Sequence, residues 1–226
     1  MVVRPSGITV VGGGGGALGS AVVSRLVAAG RQVVVPTRHP GRPQPVPGVT
    51  EVECDLDDVE SVEGLRAAVE TMGRWDGIVS ASGGYAGGRA LEIDDEAIED
   101  QIGANLLGPW RLARAGAASM IGHGEGGRIV IVASRAAVDV ARGQAAYQVS
   151  KAAVLRLAQV MAAELQGHGI TVNAVLPGTM DTPGNREEMP KANRATWVST
   201  DSVAAIIEWL LSDAAGAVTG AALPAG

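Results

Sequence analysis

Short apolar, β-branched runs alternate with segments of helical spacing along almost the whole of this chain, and no other feature limits its folds as much. The runs are ITVV (8–11), QVVVP (32–36), VTEVEC (49–54), GIVSA (77–81), GRIVIVA (127–133), ITVNAVLP (170–177) and AVTGAALP (217–224). Between them the spacing predicts helices over 17–30, 59–72, 96–121, 145–169 and 202–212. A Pro- and Arg-rich loop falls at 37–48, and an irregular stretch follows the sixth run. Strands separated by helices of this length need right-handed crossovers, which set them parallel in one sheet with helices on both faces. The expectation is a single doubly wound α/β domain over residues 1–226, with a mostly parallel seven-stranded sheet. No fixed-period repeat or compositional shift marks a second domain.

Five glycines, Gly12 to Gly16, stand between the first strand and the first helix. In a doubly wound sheet ligands bind outside the carboxyl ends of the strands, and this turn is the usual phosphate site. Without Cβ atoms the backbone lets a dinucleotide pyrophosphate come close, and the positive end of the next helix favours its charge. Two registers fit: Gly14, Gly16 and Gly19 satisfy G-x-G-x-x-G, and Gly13, Ala17 and Gly19 satisfy the looser G-x-x-x-[GA]-x-G. After the second strand, where an acid would take the adenosine ribose hydroxyls, the chain carries Thr37 and Arg38. A guanidinium there favours the 2′-phosphate of NADP(H), with NAD(H) as the alternative.

Composition narrows the partners. A chain with 46% hydrophobic and 19% charged residues is globular. Its net charge of −6 repels a nucleic-acid backbone. No apolar stretch approaches the length of a membrane span, and MVVRPSGITVV lacks the apolar core and cleavage site of a secretion signal, so a cytoplasmic protein is expected. Cys54 is alone and reads as a buried thiol, while the scattered His39, His123 and His168 make no metal-ligand pattern, so no metal is expected.

Against sixteen arginines the chain has only two lysines and two tyrosines, yet Tyr147 and Lys151 stand four apart at the start of a long helix. Residues at that spacing share a face. An ammonium beside the phenol is expected to lower its pKa towards neutrality, a drop of about three units worth roughly 4 kcal/mol, with help from an oxidised nicotinamide. Tyr147 then becomes a general acid for a carbonyl oxygen that receives hydride at its carbon.

On these residues the chain resembles the short-chain dehydrogenases/reductases of classical type, over essentially its whole length. Tyr147 and Lys151 match the family's YxxxK, Ser134 lies thirteen residues before the tyrosine, and Asn105 in ANLLG matches the family's helix asparagine. The resemblance implies a Rossmann-type fold in which Ser134 binds the substrate carbonyl and Lys151 also holds the nicotinamide ribose. Asn105 would support a water relay behind Lys151. It further implies cofactor contacts at Gly13, Gly15, Gly16, Leu18 and Gly19, at Thr37 and Arg38, at Asp55 and Leu56 near adenine, and at Ala81, Ser82 and Gly83. Pro177, Gly178 and Thr182, in LPGTMDT, would meet the nicotinamide. The family's NNAG reads Ser80-Ala81-Ser82-Gly83 here, which removes an amide that steadies the central strand.

The implied reaction is carbonyl reduction or alcohol oxidation on a small molecule. GGYAGG (83–88) and MDTPGNREEMP (180–190) are similar to quinonoid dihydropteridine reductases, an alternative that Ser134 and Thr37-Arg38 weigh against. A dinucleotide sensor without turnover is the second alternative. Residues 85–89, 135–140 and 179–198 are expected to wall the substrate pocket, the last as a lid, with Arg89, Arg135 and Arg186 as receivers for an anionic group. A homo-oligomer, tetramer or dimer, built on the long helices completes the expectation.

Overall fold

The computed structural model describes residues 7–41 and 46–226. The elements run β1 (Ile8–Gly12), α1 (Ala17–Ala28), β2 (Gln32–Thr37), β3 (Val49–Glu53), α2 (Val59–Met72), β4 (Trp75–Ser80), α3 (Asp95–Ile102), α4 (Gly108–His123) and β5 (Gly127–Val132). They continue with α5 (Ala145–Leu165), β6 (Ile170–Pro177), β7 (Met180–Asp181), α6 (Pro183–Glu188), β8 (Val198–Ser199), α7 (Thr200–Leu210) and β9 (Ala222–Ala225). Seven strands form one parallel sheet in the order β3-β2-β1-β4-β5-β6-β9, and β7 pairs with β8 apart from it.

The central strands β1, β4, β5 and β6 are buried along their whole length because both of their faces are covered, whereas the edge strand β3 carries Thr50, Glu51 and Glu53. Ile8, Val10, Ile78, Ile129 and Ile131 join one apolar cluster with Leu65 of α2, Leu112 of α4 and Val154 of α5. Their neighbours Val11, Val79, Val130 and Val132 join the opposite cluster with Leu26 of α1 and Ile207 of α7. Alternation along a strand sends successive side chains to opposite faces, so a residue of either parity must be apolar. Each buried Leu or Ile contributes about 1.5–3 kcal/mol by leaving water. No helix among the described residues is long and apolar enough to cross a membrane.

The chain builds outward from β1 through β2 to β3, then returns to the other side of β1 for β4. The strand order therefore reverses between β1 and β4, and a crevice opens at their carboxyl ends.

Three expectations differ from the structure in instructive ways. The helix expected over 96–121 is α3, a π-helical turn at Gly103–Leu107, and α4. Pro109 has no N–H for the Asn105 carbonyl four residues back, so the ladder widens and the Gly108 N–H reaches the Gly103 carbonyl instead. The last strand begins at Ala222 rather than 217. Asn173, inside β6, takes the Val218 carbonyl and the Ala221 N–H with its side chain, which holds that segment out of the sheet. The irregular stretch contains α6 and the β7–β8 pair. Within the expected loop at 37–48, residues 42–45 lie outside the described residues.

Candidate active site

The turn after β1 is closed so tightly that side chains would not fit. Gly13 adopts φ +75°, and a Cβ there would lie 2.6 Å from the Ser82 N–H nitrogen. A Cβ on Gly19 would stand 2.0 Å from the Gly13 carbonyl oxygen, so the first turn of α1 rests directly on the loop. The N-cap of α1 is Gly16, which offers no side chain to the first N–H groups, and no acidic residue stands in that turn. Those donors face the crevice with a positive field, as a pyrophosphate requires.

Two clefts that share Ser82, Gly83 and Gly84 run along the carboxyl edge of the sheet, about 440 Å³ and about 250 Å³ in volume. The larger is lined by Gly13, Gly15 and Gly16 on one side and by Thr37, Arg38, Asp55 and Leu56 on the other. The smaller is lined by Leu18, Ala81, Ser134, Tyr147, Lys151, Pro177 and Gly178. A glycine cradle that a Cβ on Gly13, Gly14 or Gly19 would fill, next to a groove that runs along the sheet edge, fits a dinucleotide.

Three expected residues, Gly19, Thr182 and Asn105, stand outside the cleft walls. Gly19 is buried under the loop, and Thr182 caps α6, its hydroxyl accepting from the Asn185 N–H at 3.2 Å. Asn105, fully buried in the π-helical turn, lies behind the clefts. Its Oδ1 accepts from the Gly84 N–H at 3.1 Å, and its Nδ2 lies 3.0 Å from the Gly84 carbonyl, 3.1 Å from Gln101 Oε1 and 3.0 Å from Ser150 Oγ. The Asn105 amide thus fastens the turn after β4, where the serine-for-asparagine departure removed an anchor. Gln101 and Ser150 share that task without any motif to announce them.

Glu51 is the functional candidate that sequence reasoning missed. It pairs in register with Val35, the residue on which Gly14 would place a Cβ at 2.8 Å, so its carboxylate reaches the larger cleft. There it accepts from the Gly41 N–H at 2.8 Å. Only the β2–β3 register reveals this, because Glu51 is fourteen residues from Thr37 in sequence.

Around Tyr147 the protein alone shifts the phenol in the direction opposite to the one expected with an oxidised nicotinamide beside it. Burial pushes the phenol above its ordinary value, and the Ser134 hydroxyl partly offsets this by hydrogen bonding to it. The Lys151 ammonium stands 5.9 Å from the ring centroid and donates to the Val132 carbonyl at 3.2 Å. Burial in turn lowers Lys151 to about 8. Desolvation is therefore the dominant influence on the phenol in the protein alone, and the phenol holds its proton at neutral pH. Ser134 also caps the short turn at Arg135–Ala137, accepting from the Ala136 N–H at 3.1 Å. Cys54 is buried, as expected, and burial raises its thiol.

The three arginines expected to receive an anion are each engaged already. Arg186 makes two bonds to Asp181 at 2.6 and 2.7 Å, Arg135 meets Asp139 at 3.0 Å, and Arg89 meets Glu92 at 3.3 Å.

Comparison with known proteins agrees with this geometry. Residues 7–193 match the family profile described as short chain dehydrogenase. A protein of Mycobacterium tuberculosis named as an uncharacterised NAD-dependent oxidoreductase is 34% identical over 191 residues, covering 76% of this chain and 69% of that one. The 3-oxoacyl-[acyl-carrier-protein] reductase MabA of the same organism is 33% identical over 224 residues, covering 95% and 89%. The solved structure of a short-chain type dehydrogenase/reductase from Mycobacterium ulcerans superposes with a TM-score of 0.88 at 28% identity, over 96% of this chain and 87% of that one. This chain therefore belongs to the short-chain dehydrogenases, oxidoreductases that bind a nicotinamide dinucleotide.

Proposed function

We propose that the protein interconverts a small ketone and its alcohol, with Tyr147 as general acid and base and NADP(H) as the preferred cofactor. The observation that carries this reading is that Ser134, Tyr147 and Lys151 all line the smaller cleft. The bound dinucleotide supplies or takes the hydride. Tyr147, protonated at neutral pH, gives its proton to the carbonyl oxygen during reduction and regains it from the alcohol during oxidation. Ser134 donates a hydrogen bond to the same oxygen and fixes its position. Lys151, held by the Val132 carbonyl, offers its ammonium to the nicotinamide ribose and to the charge that develops on the phenol. Asn105 keeps the Gly84 turn, and with it the floor shared by both clefts, in place. The other contacts assigned to the cofactor are those along the groove, from Gly13 to Gly178, with Gly19 supporting the loop and Thr182 set back from it.

Arg38, exposed at the adenosine end, supports the preference for NADP(H). Glu51 and the relative named as NAD-dependent support NAD(H) as a second cofactor. Segment 179–198 acts as the lid over the substrate, and the protein works as a cytoplasmic homo-oligomer, tetramer or dimer. Half-exposed Trp110 of α4 and exposed Val149 and Val160 of α5 support an interface on the long helices.

Stopped-flow oxidation of NADPH and NADH with a panel of ketones tests the reading. Tyr147→Phe is expected to slow hydride transfer by about 10³-fold while cofactor binding persists. Equal rates in wild type and Tyr147→Phe would sink it. Reduction of a quinonoid dihydropterin that survives Ser134→Ala would replace it with the pteridine alternative, and dinucleotide binding without turnover of any substrate would replace it with the sensor.

A further inference from the structure

The chain holds two tyrosines and no phenylalanine, and the fold brings the two tyrosines together. Tyr85 stands on the segment between β4 and α3, at the mouth of the smaller cleft. Its ring lies 5.1 Å from that of Tyr147, centroid to centroid, with the planes 72° apart. Ring quadrupoles favour this edge-to-face arrangement over a stacked pair.

Backbone pairing fixes the contact as well. The segment that carries Tyr85 is laced to the start of α5, which carries Tyr147. The Gly88 N–H donates to the Gly143 carbonyl at 2.8 Å, the Ala145 N–H donates to the Gly88 carbonyl at 3.1 Å, and Gly88 bridges Gln144 in parallel. At the near end Asn105 grips Gly84 by both its backbone groups. The backbone of Tyr85 thus sits between two anchored points, which hold its ring within reach of Tyr147.

Tyr85 is 55% exposed, so it adds little to the core, and its covered side rests on the residue whose orientation the chemistry needs. Among the described residues, Lys151 and Tyr85 are the titratable groups that face the Tyr147 phenol. Resting on the reading of Tyr147 as the acid, we propose that Tyr85 is a positioning residue: its ring clamps the phenol in the cleft and screens it from water. Burial raises Tyr147, and Tyr85 adds to that in the same direction.

The tyrosine content makes the test direct. In Tyr85→Phe and Tyr85→Leu the phenolate absorbance titrates Tyr147 alone. The leucine variant is expected to titrate lower than the phenylalanine variant by about half a unit or more, towards the ordinary tyrosine value, because the screen is gone. With ketone and cofactor, kcat is expected to fall about tenfold further in Tyr85→Leu than in Tyr85→Phe, which keeps the ring against the phenol. The limb of the pH profile that reports Tyr147 should move with the titration. Tyr85→Met replaces the leucine variant if that protein does not fold, and melting curves monitor this. Equal titrations and equal rates in the phenylalanine and leucine variants would overturn the proposal, as would a phenylalanine variant as slow as the leucine one. Hydride transfer by Tyr147→Phe would instead overturn the reading of Tyr147 as the acid. The two failures are separable because the titration needs neither cofactor nor substrate.

Discussion

At the amino edge of the sheet the buried Arg31 guanidinium meets the buried Asp76 carboxylate at 3.2 Å and also the Thr9 hydroxyl, whereas at the carboxyl edge the buried Lys151 ammonium meets the Val132 carbonyl and no carboxylate among the described residues. Arg31 and Asp76 side chains are each 1% exposed, and Arg74 adds a second cation 3.6 Å from Asp76 while reaching Glu125 on its other side. One edge neutralises its charge and the other leaves it uncompensated. A paired charge is inert and ties β1, β2 and β4 together; an unpaired one titrates easily and is available to a ligand. The same sheet therefore has a structural end and a chemical end, and what separates them is the presence of a counter-ion.

Removing a partner at the amino edge should give the largest effect on stability. Asp76→Ala leaves Arg31 buried and unpaired, and urea unfolding is expected to show a loss of about 3–5 kcal/mol. A loss below about 1 kcal/mol would erase the contrast between the edges. At the other end the sign reverses. Lys151→Met removes an uncompensated buried charge and is expected to stabilise the fold by about 1–3 kcal/mol at pH 7 while abolishing turnover. Destabilisation by that substitution would mean that the amine contributes more as a bonded group than it costs as a charge.

A pH series sharpens the same point. Lys151 titrates at about 8 in the fold against 10.5 when free, so between these values the unfolded chain keeps a proton that the folded one has shed. Stability should rise with pH through that window by up to about 1.4 kcal/mol per unit, relative to Lys151→Met, and the difference should be flat below it. The smallest effect belongs to the exposed rim of the chemical end. Arg38→Ala should weaken NADPH binding by about tenfold and leave NADH binding unchanged, as read by isothermal titration. Equal losses for both cofactors would show that Arg38 does not read the 2′-phosphate.

The amino-acid order by itself determined the doubly wound sheet, because the central strands had to be apolar on both faces and most intervals were long enough for a helix. It also placed the glycine cradle, Tyr147 and Lys151, since turn chemistry and helical spacing are local, while Ser134 stood out only through the family resemblance. Pro109 carried the signal for the break beside Asn105, yet helical periodicity on either side masked it. Tertiary structure alone decided the rest. Strand register brought Glu51 beside Val35 at the adenosine end, and the lacing of Gly88 to the start of α5 brought Tyr85 onto Tyr147. The direction of the Tyr147 shift belonged to it as well, because a pKa depends on how much water the surroundings exclude, and burial is a property of the packed chain rather than of spacing along it.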